Sequence, residues 1–72
     1  MVNTKGIKKL LIDKDMDLSD LAAVIGRSYT TTSMKLNNAS SMTLDEAEKI
    51  QEALGIHDED FAYYFMSHER SA

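Results

Sequence analysis

The chain has 72 residues, no cysteine, no proline and a formal net charge of −4. That length makes one domain over residues 1–72, burying only about 60% of its unfolded surface, so the fold must rely on good helix caps and an economical core. Without cysteine there is no disulfide framework and no thiolate metal site, and no apolar run approaches the ~20 residues of a membrane span.

Met1 to Gly6 lacks the apolar core of a signal peptide, so a cytoplasmic protein is expected. The charge is unevenly spread. Residues 1–42 hold six Lys/Arg and four Asp, a balance of +2, whereas residues 43–72 hold two Lys/Arg and eight acids, a balance of −6. The second half therefore offers either solvated acidic faces or a surface for a basic partner.

Five helical segments follow in chain order, which makes the fold all-α, with an ordered core over about residues 4–66. The first runs from about Asn3 to Lys14, with Ile7, Leu10 and Leu11 on one stripe. The second starts at Asp17, a good N-cap, with Met16 and Leu21 at the positions of a hydrophobic staple. Leu18, Leu21, Ala22 and Ile25 make its apolar face, and Gly26 ends it as a left-handed cap. The third begins at Ser28 and runs to about Leu36. Its Thr/Ser-rich sequence is poor in helix formers, and propensity alone would make Tyr29 to Thr32 a strand. With no strand partner nearby, and with Asn37-Asn38 reading as a C-terminal turn, it is assigned as helix. The fourth starts at Thr43, which forms a capping box with Glu46. Leu44, Ala47, Ile50 and Leu54 are its expected apolar stripe and Gly55 its stop. The fifth runs from about Asp58, with Phe61, Tyr64 and Phe65 on one face. Ser67 to Ala72 is expected to fray.

The segment from Asp17 to Asn38 carries the functional information. Small residues at Ala22 and Gly26 are expected to let two helix axes approach at a steep angle, as a helix-turn-helix requires. On its own that spacing fits any tight helical corner. The surface of the third helix is more informative. From Arg27 to Asn38 there is no acid, in a chain with twelve, which leaves a face without repulsion toward phosphate. Ser28, Tyr29, Thr30, Thr31 and Ser33, then Lys35, Asn37 and Asn38, supply hydroxyls, amides and a charge that hydrogen-bond phosphates and base edges, and threonine methyls can touch the thymine methyl.

Leu21-Ala22 with Gly26, then Ser28, Lys35-Leu36-Asn37-Asn38, Met42-Thr43 with Glu46, Ile50, Leu54-Gly55-Ile56 and Tyr64-Phe65 form one pattern. It resembles the Cro/CI-type, lambda-repressor-like helix-turn-helix family, and within it short phage-encoded Cro repressors, over roughly residues 5 to 66. The resemblance implies a five-helix bundle with helix-turn-helix at the second and third helices, and an operator-binding regulator of a lysis/lysogeny switch in a bacterial host cell. It implies base contacts from Tyr29, Thr30 and Ser33. Backbone contacts would come from Ser28, Lys35, Asn37 and Asn38, and from the start of the second helix around Leu18 and Ser19. Arg27 and Thr31 complete the expected DNA-binding set. Three positions depart from the family pattern: Tyr29 stands where Arg or Gln is frequent, Thr32 where Val, Ile or Leu is usual, and Asn38 where Gly is usual.

The expected partner is double-stranded operator DNA, bound by a homodimer. A second reading is a modulator that binds a phage CI-type repressor, with Tyr29, Met34, Tyr63 and Met66 as exposed anchors. No enzyme, cofactor or metal is expected. His57 and His68 are the only histidines, and His57-Asp58-Glu59-Asp60 are consecutive, so they do not converge on one helix face. An acid-rich turn at a helix start accounts for them.

Overall fold

The computed structural model describes residues 1–66. They form five α-helices and no strand: α1 over Thr4–Asp13, α2 over Leu18–Ile25, α3 over Tyr29–Leu36, α4 over Leu44–Leu54 and α5 over Phe61–Phe65. A 3-10 turn over Asp58–Asp60 leads into α5 where the sequence predicted continuous helix. The Ser/Thr-rich segment is helical, as predicted. The fraying expected for Ser67 to Ala72, and His68 within it, lie outside the described residues.

The starts of α1, α2 and α4 each have a side-chain cap. Asn3 Oδ1 accepts the Gly6 N–H at 3.0 Å. Asp17 and Asp20 cap each other's backbone N–H, both at 3.0 Å. The Thr43–Glu46 box closes at 2.9 and 3.1 Å. The first four helices all end alike. A left-handed residue stops the helix while two N–H groups turn back onto its last carbonyls. Those residues are Asp15, Gly26, Asn38 and Gly55, with φ of 59°, 71°, 64° and 68°. Asp15 was not anticipated in that role.

α2 packs on α3 and on α4, and α1 packs on α5. Ile7, Leu11, Leu21, Ile25, Leu36, Ala47, Ile50, Leu54 and Phe65 bury their side chains between them. Val2 and Ile56, outside the helices, complete the core. The fourth stripe needs one correction: Leu44 is 65% exposed. Leu44 and Glu46 lie about 80° to either side of the Leu54 direction on the helix wheel. α4 is turned so that Glu46, at 1% exposure, faces the turn after α2 and the inner side of α3, and Leu44 faces outward.

Long-range polar contacts close the bundle. The Asn3 N–H donates to the Tyr64 carbonyl at 2.8 Å, and a Cβ on Gly6 would lie 3.1 Å from the Tyr64 ring. Thr4 Oγ1 donates to the Leu36 carbonyl at 2.7 Å. Asn38 receives the Val2 N–H at 2.8 Å and donates back to its carbonyl at 2.9 Å. The chain start is thereby tied to the end of α3.

Candidate nucleic-acid interface

The turn between α2 and α3 is built from local chemistry. The Gly26 N–H donates to the Ala23 carbonyl at 3.3 Å and the Arg27 N–H to the Ala22 carbonyl at 3.1 Å. Ala22 is buried under the turn. Of the two roles expected of Gly26, it fills the left-handed cap, with φ of 71°, and not the close helix approach. A Cβ built there meets nothing within 4 Å, so its requirement is the left-handed backbone and not close helix approach. Two residues later Ser28 restarts the chain as an N-cap. Its Oγ accepts the Thr31 N–H at 3.1 Å and donates to Thr31 Oγ1 at 3.0 Å.

The faces of α3 then separate cleanly. Thr32 and Leu36 are buried. The Thr32 hydroxyl donates to the Ser28 carbonyl at 2.8 Å, which satisfies the group that replaces the usual aliphatic side chain. The outward positions are Tyr29 at 56% exposure, Thr30, Met34 at 45% and Asn37, with half-buried Ser33 among them. At about 100° per residue these five fall within an arc of roughly 140°. That face carries no charge. Asn37 Nδ2 donates to the Ser33 carbonyl at 2.9 Å, which holds the amide along the helix.

The other candidates divide. Ser19 is exposed on α2. The Arg27 side chain is half exposed, and its Nε donates to Glu46 Oε2 at 2.7 Å. Lys35 turns inward. Its side chain is 12% exposed, and Nζ lies 3.1 Å from Glu46 Oε1 and donates to the Ser41 carbonyl at 2.8 Å. Asn38 spends both amide groups on Val2. Tyr63 and Met66 are exposed on and just after α5, at 62% and 57%.

Glu46 is the residue that sequence reasoning assigned too small a part. Besides capping α4 it joins the turn and the back of α3. Burial pushes its carboxyl pKa up, but the Thr43 N–H, the Arg27 and Lys35 hydrogen bonds and the Lys35 charge outweigh that. The pKa falls from 4.5 to about 2. Arg27 and Glu46 are 19 positions apart, beyond any helical periodicity, so no local pattern could have paired them.

The two helices, the three-residue corner and the uncharged outward face of α3 are the parts of a helix-turn-helix. A family model for the Cro/C1-type helix-turn-helix DNA-binding domain matches residues 6–65. The chain belongs to that family. No curated protein matches it. In this Cro/C1-type domain the matched span covers α2 to α5 and all but the first two residues of α1, and α3 is the second helix of the motif. Among the described residues of the domain no group of three or more His, Cys, Asp and Glu could hold a metal ion, and none of its helices is long and apolar enough to cross a membrane.

A groove of about 410 Å³ runs beside α3. Ile12, Met16, Leu18, Tyr29, Ser33 and Asn37 line it, and Ile12 at its edge is 76% exposed.

Proposed function

We propose that this Cro/C1-type domain is a transcriptional regulator that binds operator DNA through α3, a Cro-like repressor of a phage lysis/lysogeny switch acting inside a bacterial cell. The observation that carries the reading is the outward face of α3, five residues on one arc with neither acid nor base. Thr30, Ser33 and Asn37 offer hydrogen bonds to base edges, and Tyr29 offers a hydroxyl and a ring face. Arg27, Ser28, Thr31 and Ser19 flank that face and contact the phosphates. Lys35 and Asn38 are assigned to holding the recognition helix in place, since their polar groups are already engaged. The domain acts as a homodimer on a two-fold site.

The test is a titration of the folded chain on the intergenic duplex beside its own gene, at physiological salt and without partner proteins. Binding should weaken as salt rises. Thr30→Ala should weaken it about three- to tenfold, the worth of one net hydrogen bond, with the melting temperature unchanged. Absence of binding by a folded chain would sink the reading.

The groove beside α3 favours a second reading, a modulator that docks on a phage CI-type repressor. Ile12, Tyr29 and Met34 offer exposed apolar anchors on and beside the face that would meet DNA, so one surface would serve either partner. Co-elution with the repressor, abolished by Ile12→Asp, would support it.

A further inference from the structure

We infer that Glu46 is a positioning residue for DNA recognition, acting through Arg27; this rests on the operator-binding reading above. The Arg27 guanidinium carries five N–H donors. One of them, on Nε, is given to Glu46 Oε2 at 2.7 Å. Among the described residues the four Nη donors have no hydrogen-bond acceptor, and the side chain is 50% exposed. The guanidinium is thus anchored on its inner edge and open on its outer edge, one residue before the Ser28 cap of the recognition helix.

The anchor itself is fixed. Glu46 is 1% exposed, and Oε1 receives the Thr43 N–H at 2.9 Å and faces Lys35 Nζ at 3.1 Å. These contacts bind the carboxylate to α4, to the back of α3 and to the turn at once. An arginine free in solvent loses side-chain entropy when it settles on a phosphate, whereas one already held at Nε has lost much of it beforehand. A planar fork can bond a carboxylate on one edge and a phosphate on the other; an ammonium cannot divide its donors that way.

The neutralised charge has a second consequence. With the buried carboxylate in place, Arg27 and Lys35 together present one net positive charge at the turn. Sequence-independent attraction to DNA stays small, and the geometry of a single guanidinium counts for more.

The experiment uses the full chain and a duplex that the wild-type protein enriches from a random-sequence pool, with an unselected duplex as control. Four proteins are titrated at several salt concentrations: wild type, Arg27→Lys, Arg27→Ala and Glu46→Gln. Arg27→Lys keeps the charge and leaves the core intact. It should nevertheless lose about tenfold in affinity for the selected duplex, nearly as much as Arg27→Ala. Glu46→Gln retains a capping-box residue, and circular dichroism checks that it is folded at the assay temperature. It should bind the selected duplex several-fold less tightly and the unselected duplex no less tightly than wild type. In the Arg27→Ala background it should add no further loss. A purely structural Glu46 would leave the affinity of the folded variant unchanged, and a purely electrostatic Arg27 would be replaced by lysine at no cost. Either result overturns the proposal while operator binding stands. A wild-type chain that enriches no duplex overturns both.

Discussion

Four residues hold the left-handed backbone that ends α1 to α4, and they do so at different cost. Gly26 and Gly55 adopt it freely, whereas Asp15 and Asn38 carry a Cβ that the conformation opposes. Asn38 recovers the cost, because its amide makes two hydrogen bonds to Val2. Asp15 is exposed and makes no side-chain hydrogen bond among the described residues, so nothing offsets it. Asp15→Gly is therefore expected to stabilise the chain by about 0.5–1 kcal/mol, the left-handed penalty less the extra entropy of a glycine in the unfolded state. Urea unfolding at neutral pH measures it, and a lower midpoint would mean that the Asp15 side chain itself stabilises the folded chain. Thr32 shows the same balance in the core. Its hydroxyl reaches the Ser28 carbonyl at 2.8 Å, so a polar atom sits at 0% exposure without being orphaned.

At the scale of the helix, what a short stretch of sequence can specify was legible and what the packing decides was not. Caps are local: Asp17, Ser28 and Thr43 each act on a backbone N–H three residues ahead, so the starts of α2, α3 and α4 could be read from single residues. Helix α3 was legible in spite of its composition because its ends, and not its interior, define it. The rotation of α4 could not be read the same way. Its sequence offers Leu44 and Glu46 as equally placed flanks of the apolar stripe, and hydropathy favours burying leucine. The structure buries Glu46 because two cations 19 and 11 positions back in the chain converge on it, and one-dimensional periodicity does not register a partner at that separation. Most of the candidate DNA face was legible, since polarity and the absence of acid are sequence properties. The inward turn of Lys35 was not. The rotation of α4 has a measurable consequence. Leu54→Ala should cost about 2–5 kcal/mol, while Leu44→Ala, at an exposed site, should stay within about 0.5 kcal/mol. Equal losses in thermal melts would show that α4 is rotated the other way.

Across the whole molecule, one buried carboxylate links the capping of α4, the corner of the motif and the back of α3, so stability and geometry depend on its charge. The Glu46 pKa lies at about 2 in the folded chain against 4.5 without these contacts. The folded state therefore binds that proton less readily than the unfolded state. Its contribution is fully present above pH 4.5 and drains away as pH falls toward about 2. A depression of that size corresponds to on the order of 3 kcal/mol, less what solvent screening of half-exposed Arg27 removes. Glu46→Gln isolates it. At neutral pH the variant should be less stable than wild type by on the order of 2 kcal/mol, because Lys35 and Arg27 lose their counter-charge. As pH drops through 4.5 the two proteins should converge, wild type losing stability through a group that the variant lacks. Urea midpoints of both chains between pH 6 and about 2.5 would trace the convergence. A difference constant over that range would mean that Glu46 serves only as a hydrogen-bond acceptor, and that its charge holds neither cation.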